Sequence, residues 1–173
     1  VMASLKSSVA ALIHEGYGGE DLIYKVNRLL MDHGHARTMV TLAVVELEHD
    51  TGRMTLSNAG HCPPFLIGPE GGSEELLASS LPMGSRLCKP ASLERPFPQG
   101  SRLVLYSDGV VEAMSPAGEP FGYQRLGEVI DAATDCSGSG LTKSVLDALA
   151  DHAEGVAAAD DLTILVLERN PST

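Results

Sequence analysis

The chain has 173 residues, 43% hydrophobic and 20% charged, with no tryptophan; that suits one domain with a substantial core and is too short for two comfortable ones. Twelve Lys and Arg stand against 23 Asp and Glu, a formal net charge of −11 without any basic run, which excludes an obvious electrostatic footprint for nucleic acid or anionic lipid. Such a surface repels a phosphorylated substrate, so a site for one needs local positive charge, and a metal ion supplies it most economically.

The span 2–13 places Met2, Leu5, Val9, Leu12 and Ile13 at helical spacing, and Gly16, Gly18 and Gly19 end it. A second amphipathic helix is predicted over 21–31, with Leu22, Ile23, Val26, Leu29 and Leu30 on one face. The two form a helical hairpin, one outer layer. The span 38–47 is rich in β-branched residues and reads as a long, largely buried strand. His49-Asp50-Thr51-Gly52 is a turn, and 53–57 is the return strand of a hairpin. Short strands are predicted at 64–67, around Leu76, at 93–97 and at 102–106. Helices return over 123–130 and 141–152, with Gly155 beyond the last, and 162–167 is a final apolar strand. Helices, a block of strands, helices and a last strand indicate an α+β layer architecture with antiparallel sheet.

Cys62, Cys88 and Cys136 are odd in number and widely spaced, which fits a reducing cytoplasm and no disulfide framework. No stretch approaches the roughly 20 apolar residues of a membrane span, and no signal peptide is visible. Val1 and Met2 open directly into what reads as mid-helix, so the N-terminus is expected to be a cut.

Three features carry chemistry. Leu103-Val104-Leu105-Tyr106-Ser107-Asp108-Gly109 runs a hydrophobic strand out into an acid, and Gly109 allows close backbone approach; alone, such an Asp-Gly is a turn more often than a ligand. Ala159-Asp160-Asp161-Leu162-Thr163 sets two adjacent carboxylates before the last strand, where they repel unless a cation or donors hold them. As a lone pair they are a solvated strand entrance; two acidic strand ends in one domain favour a hard-cation site for Mg²⁺ or Mn²⁺. Asn58-Ala59-Gly60-His61-Cys62-Pro63-Pro64 is a rigid loop. Its His61 is an acid/base group, a ligand, or simply an anchor for its own loop. His33 and His35, in Asp32-His33-Gly34-His35, are a weaker chelating pair and read more naturally as a solvated turn.

Together and in order, these motifs resemble the bacterial PP2C-type (PPM) serine/threonine phosphatases of the sporulation-phosphatase and sigma-factor-regulator group. The matching runs are Asn58 to Pro64, Leu81-Pro82-Met83-Gly84, Ser107-Asp108-Gly109-Val110-Val111-Glu112-Ala113, Phe121-Gly122 and Asp160-Asp161-Leu162-Thr163, covering nearly the whole chain. The resemblance implies a PP2C-like sandwich of two mainly antiparallel β-sheets flanked by helices, lacking its N-terminal strands, with residues 1–173 as a single, partial domain. It implies two or more Mn²⁺ or Mg²⁺ ions in the intact domain, which activate water for hydrolysis of phosphoserine or phosphothreonine on a protein. Asp108 and Asp160 match the family's metal-binding acids, with Asp161 as the fallback if the register slips by one. Glu112 matches an acid that assists an additional metal. Gly109 serves backbone geometry, while His61 and Asn58 belong to the site loop.

The implied substrate is a phosphorylated anti-sigma-factor antagonist, and a sensory or receiver domain is expected upstream. The family's opening Gly-Asp motif and its Asp-Val-x-Gly-His-Gly motif are both missing. The fragment is therefore expected to be nearly inactive, and its unpaired sheet edges favour a homodimer. The alternative is a non-catalytic PPM-like module that binds a phosphoprotein or regulator.

Overall fold

The computed structural model describes residues 2–32, 38–134 and 137–170; His33, His35 and Cys136 lie outside them. In chain order the elements are α1 (Met2–His14), α2 (Gly19–Asp32), β1 (Leu42–Leu47), β2 (Arg53–Ala59), β3 (Phe65–Ile67), β4 (Ser73–Glu75), β5 (Ala91–Pro96), β6 (Arg102–Tyr106), α3 (Asp108–Val111), α4 (Gly122–Ala132), α5 (Gly138–Ala153) and β7 (Ile164–Glu168). They fall into two compact units: Val1–His61 with Leu77–Pro96, and Cys62–Leu76 with Phe97–Thr173. The α+β class expected from the sequence holds, with two antiparallel sheets and accompanying helices.

In the first unit the sheet order is β1-β2-β5, antiparallel throughout. Helix α2 supplies the core: Leu22, Ile23, Val26 and Leu30 are buried together with Ala59, Met83 and Cys88, while Leu5, Val9 and Leu12 of α1 are only partly buried against them. The hairpin is therefore unequal, with α2 carrying the burial. The glycines before α2 have a packing reason. A Cβ on Gly18 would stand 2.1 Å from Glu46 Oε1, and Gly19, at φ +48°, sits 2.8 Å from Glu46 Oε2 by the same construction. An anionic side chain at a helix N-terminus is favourable, and Glu46 of β1 sits against the start of α2.

The strand expected over 38–47 begins only at Leu42. Its partner β2 ends at Ala59, opposite Leu42, so Val40 turns to Met83 and exchanges both backbone hydrogen bonds with it, at 3.1 and 2.8 Å.

In the second unit the order is β4-β3-β6-β7, also antiparallel. Central β6 is flanked on both sides and is almost wholly buried, which is why Leu103 to Tyr106 run on as bulky, mostly apolar residues without alternation. Phe65, Tyr106, Leu126, Ile130, Leu141 and Val145 join sheet, α4 and α5 in one core. Two expected strands shift: the one near Leu76 is Ser73–Glu75, with the Leu76 N–H donating to Pro64 O at 2.8 Å, and the last starts at Ile164.

Candidate functional site

The ladder between β6 and β7 pairs Tyr106 with Ile164 and continues one residue further: Ser107 N–H donates to Thr163 O at 3.0 Å. The Ser107 hydroxyl then donates to Asp161 O at 2.9 Å and accepts from Thr163 N–H at 3.0 Å. Ser107 stands at the N-cap of α3 yet makes no side-chain cap; its hydroxyl is spent on the neighbouring segment. This strap lays the two acidic motifs, far apart in sequence, side by side.

The approach is too close for a side chain. A Cβ on Gly109 would lie 2.6 Å from the carbonyl oxygen of Asp161. The sequence expectation that Gly109 serves close backbone approach is met, and the partner is the other acidic segment.

Asp108 does not end a strand, as expected, but opens the single turn α3. Apolar Val110 and Val111 are buried beneath that turn, and Phe121 N–H donates to Ala113 O at 2.8 Å just beyond it. Glu112 N–H donates to Asp108 O at 2.9 Å, so Asp108 and Glu112 stand one turn apart, the spacing at which helical side chains are neighbours. Both are exposed, as are Asp160 and Asp161. One oxygen of Asp108 accepts from Gly109 N–H at 3.0 Å, and one of Asp160 accepts from Asp161 N–H at 2.7 Å. These bonds orient each carboxylate while using a single oxygen.

Beside the acids, Cys62 Sγ lies 3.9 Å from the Tyr123 hydroxyl. Burial pushes the thiol up; the Tyr123 hydrogen bond opposes this, and the negative charges of Asp108 and Glu112 add to it. Burial, helped by neighbouring Cys62, also pushes the Tyr123 phenol up to about 12. Tyr106, stacked on Phe65 at 6.1 Å between ring centroids, keeps a buried hydroxyl with no hydrogen-bond partner among the described residues, and burial drives its ionisation well above the ordinary tyrosine range. This neutral wall was not anticipated from the sequence, because nothing local links positions 62, 106 and 123.

In the first unit, Asn58 is 3% exposed and acts as a lock. Its Nδ2 donates to His61 O at 2.9 Å and to Ala78 O at 3.0 Å, and its Oδ1 accepts from His61 N–H at 2.9 Å. Gly60 has φ +70°, and a Cβ there would meet Pro82 at 2.7 Å. His61 Nδ1 is 3.3 Å from Thr41 Oγ1. Of the three readings of His61, these contacts bear most directly on the anchoring one.

The donor set fits a hard cation in kind, since carboxylate oxygens are what Mg²⁺ and Mn²⁺ prefer. It falls short in number: among the described residues no group of three or more His, Cys, Asp or Glu could hold a metal ion by itself.

The family model described as Stage II sporulation protein E matches residues 1–170. Protein IcfG of Synechocystis sp. is 29% identical over 140 residues, covering 80% of this chain and 22% of that protein. Phosphoserine phosphatase RsbU of Bacillus subtilis is 25% identical over 172 residues, covering 97% of this chain and 50% of that protein. The chain thus spans half or less of these relatives' lengths. Among solved structures, the SiaA-PP2C domain of Pseudomonas aeruginosa superposes with a TM-score of 0.81 at 15% identity, covering 96% of this chain and 66% of that one. The PP2C phosphatase domain of SpoIIE from Bacillus subtilis, with a fragment of its regulatory domain, gives 0.81 at 16% identity, covering 99% and 50%. RsbX in complex with magnesium gives 0.64 at 15% identity, covering 95% and 70%. The fold is that of the PP2C-type phosphatase domains, and by the family-model match the chain belongs to the Stage II sporulation protein E (SpoIIE) family.

Proposed function

We propose that this chain is the larger part of a metal-dependent phosphatase domain, acting on phosphoserine or phosphothreonine of a regulatory protein, an anti-sigma-factor antagonist in type. The observation that carries the reading is the strap from Ser107 to Asp161 and Thr163, which sets Asp108 beside the segment bearing Asp160. A structural turn needs no such juxtaposition of acids, whose mutual repulsion is relieved by a cation.

Asp108 and Asp160 would hold Mn²⁺ or Mg²⁺, with Asp161 and Glu112 as flanking acids. When bound, such an ion neutralises phosphoryl oxygens and lowers the pKa of a coordinated water. The chain's own residues position: Ser107 fixes the spacing of the two segments, Gly109 permits their approach, and the Gly109 and Asp161 amides aim the two carboxylates. Relatives named as a phosphoserine phosphatase and as a magnesium complex support this reading.

The rest of the ligand set is supplied by residues outside these 173, so the fragment alone is nearly inactive and binds metal weakly. In the same reading it works in the cytoplasm, joined to a sensory or receiver domain. Among the described residues no helix is long and apolar enough to cross a membrane. The edges of β1 and β7, which carry no further strand among the described residues, favour a homodimer.

The test is Mn²⁺-dependent hydrolysis of p-nitrophenyl phosphate by this chain and by a longer chain carrying the residues that precede it, each with Asp108→Asn. Turnover confined to the longer chain and lost in Asp108→Asn supports the proposal. Absence of both turnover and metal binding in either chain transfers the weight to a non-catalytic phosphoprotein-binding module.

A further inference from the structure

Residues 76–93 contain no Asp or Glu, although the chain carries 23 acids and a net charge of −11. Within that run Arg86 and Lys89 are both exposed. The run folds into a loop closed at its neck by a hydrogen bond from the Ser80 hydroxyl to Lys89 O. It is bolted to the first unit from inside: Met83 and Cys88 are buried in the α2 core. Asn27 of α2, itself 8% exposed, accepts from Gly84 N–H at 2.7 Å and donates to Ser85 O at 3.0 Å. Ser85 then caps the tip, its hydroxyl accepting from Leu87 N–H at 3.0 Å and its carbonyl from Cys88 N–H at 3.2 Å.

A loop held this firmly nevertheless points apolar side chains at solvent. Leu87 at the tip is 71% exposed, Leu81 at the neck 53%, and Met39, whose Cα borders Gly84, 72%. Single exposed leucines are ordinary, but apolar groups gathered on one element and edged by charge mark interaction surfaces. Anchoring requires only the inward-facing Met83, Cys88 and Asn27, and leaves Leu81, Arg86 and Leu87 unexplained.

We propose that the loop closed by Ser80 and Lys89 is a docking surface for an acidic segment of a phosphoprotein, its leucines receiving an apolar anchor and Arg86 and Lys89 facing the acids. The proposal rests on the phosphatase reading for the phosphoprotein's role as substrate. Its chemical warrant is charge complementarity. The surface at large repels an acidic partner, and this acid-free, cation-bearing loop offers it a point of approach. Complementary charge of this kind sets encounter and register more than tight affinity, and it is screened by salt.

The experiment uses the whole 173-residue chain in EDTA and a fluorescein-labelled peptide with phosphoserine set among Asp, Glu and one Leu. Fluorescence anisotropy compares the unaltered chain with Arg86→Glu/Lys89→Glu, Leu87→Asp and the milder Leu87→Ser, with circular dichroism confirming that each is folded. Weakening of about fivefold or more in the charge-reversed variant at low salt, shrinking at high salt, is the expected result. A smaller, salt-insensitive loss is expected for Leu87→Ser. Equal binding by all chains overturns the proposal, as does a lysine-flanked phosphopeptide binding as well as the acidic one. So does sedimentation showing that Leu87→Asp merely converts a dimer to a monomer, which would make the loop a contact between copies. Without Mn²⁺ no turnover enters the readout, so failure here leaves the phosphatase reading standing. Failure of metal-dependent turnover, conversely, leaves the docking result intact.

Discussion

The two units hold their loops by different means. In the second unit, main chain meets main chain: a ladder runs one residue past its strands, a serine hydroxyl bridges, and Gly109 clears the way. In the first, single buried asparagines do the holding, Asn58 for the loop at His61 and Asn27 for the loop at Gly84 and Ser85. A side-chain amide offers donor and acceptor together, so it can pin a loop from one point. A main-chain strap instead fixes the distance between two segments. The second device suits a site that must hold two carboxylates at a set spacing, and the first suits a surface that must be rigid.

Breaking each device should give a different signature. The largest loss of stability is expected for Asn58→Ala, which strips hydrogen bonds from His61 N–H, His61 O and Ala78 O and should cost about 3 kcal/mol or more in urea unfolding, at roughly 1–3 per group left unsatisfied. Asn58→Asp sharpens the point: it keeps the acceptor for His61 N–H but sets a carboxylate against two carbonyl oxygens, so it should not restore stability. Gly109→Ala should cost about 1–3 kcal/mol through overpacking and, unlike the asparagine changes, weaken Mn²⁺ binding by about tenfold or more, read by calorimetry. Ser107→Ala should cost about 1 kcal/mol while loosening Mn²⁺ binding in the same direction.

The smallest effect separates the units by pH. The phenols of Tyr106 and Tyr123 are held neutral by burial in the second unit. Their ionisation is therefore harder in the folded chain than in the unfolded one. Above the ordinary tyrosine value of about 10 the unfolded chain releases these protons first, so stability should fall as pH rises from there towards about 12, the value for Tyr123. Tyr123→Phe should reduce that slope, measured as the melting midpoint against pH.

Elements with strong periodicity or continuous apolar character could be read from the sequence: β6 has the expected bounds, and α2 differs only at its ends. Asp108, Gly109, Asp160 and Asp161 could be singled out as candidates because two separate acidic motifs border apolar strands. What escaped is what joins distant residues. Asn27 reads as one more polar residue on a helix until Gly84 and Ser85 are seen beneath it. Ser107, at the N-cap of α3, spends its hydroxyl on Asp161, more than fifty residues along the chain. The strand expected over 38–47 was cut short for the same reason, since Val40 found a partner in Met83 that no local pattern announces.

The central claim is that Asp108 and Asp160 serve one cation, and paramagnetic broadening of backbone amides by substoichiometric Mn²⁺ tests it most directly. Amides from Asp108 to Glu112 and from Asp160 to Thr163 should broaden together, and Asp108→Asn should relieve both sets. Broadening of one set without the other, or of neither while acids elsewhere respond, would contradict it.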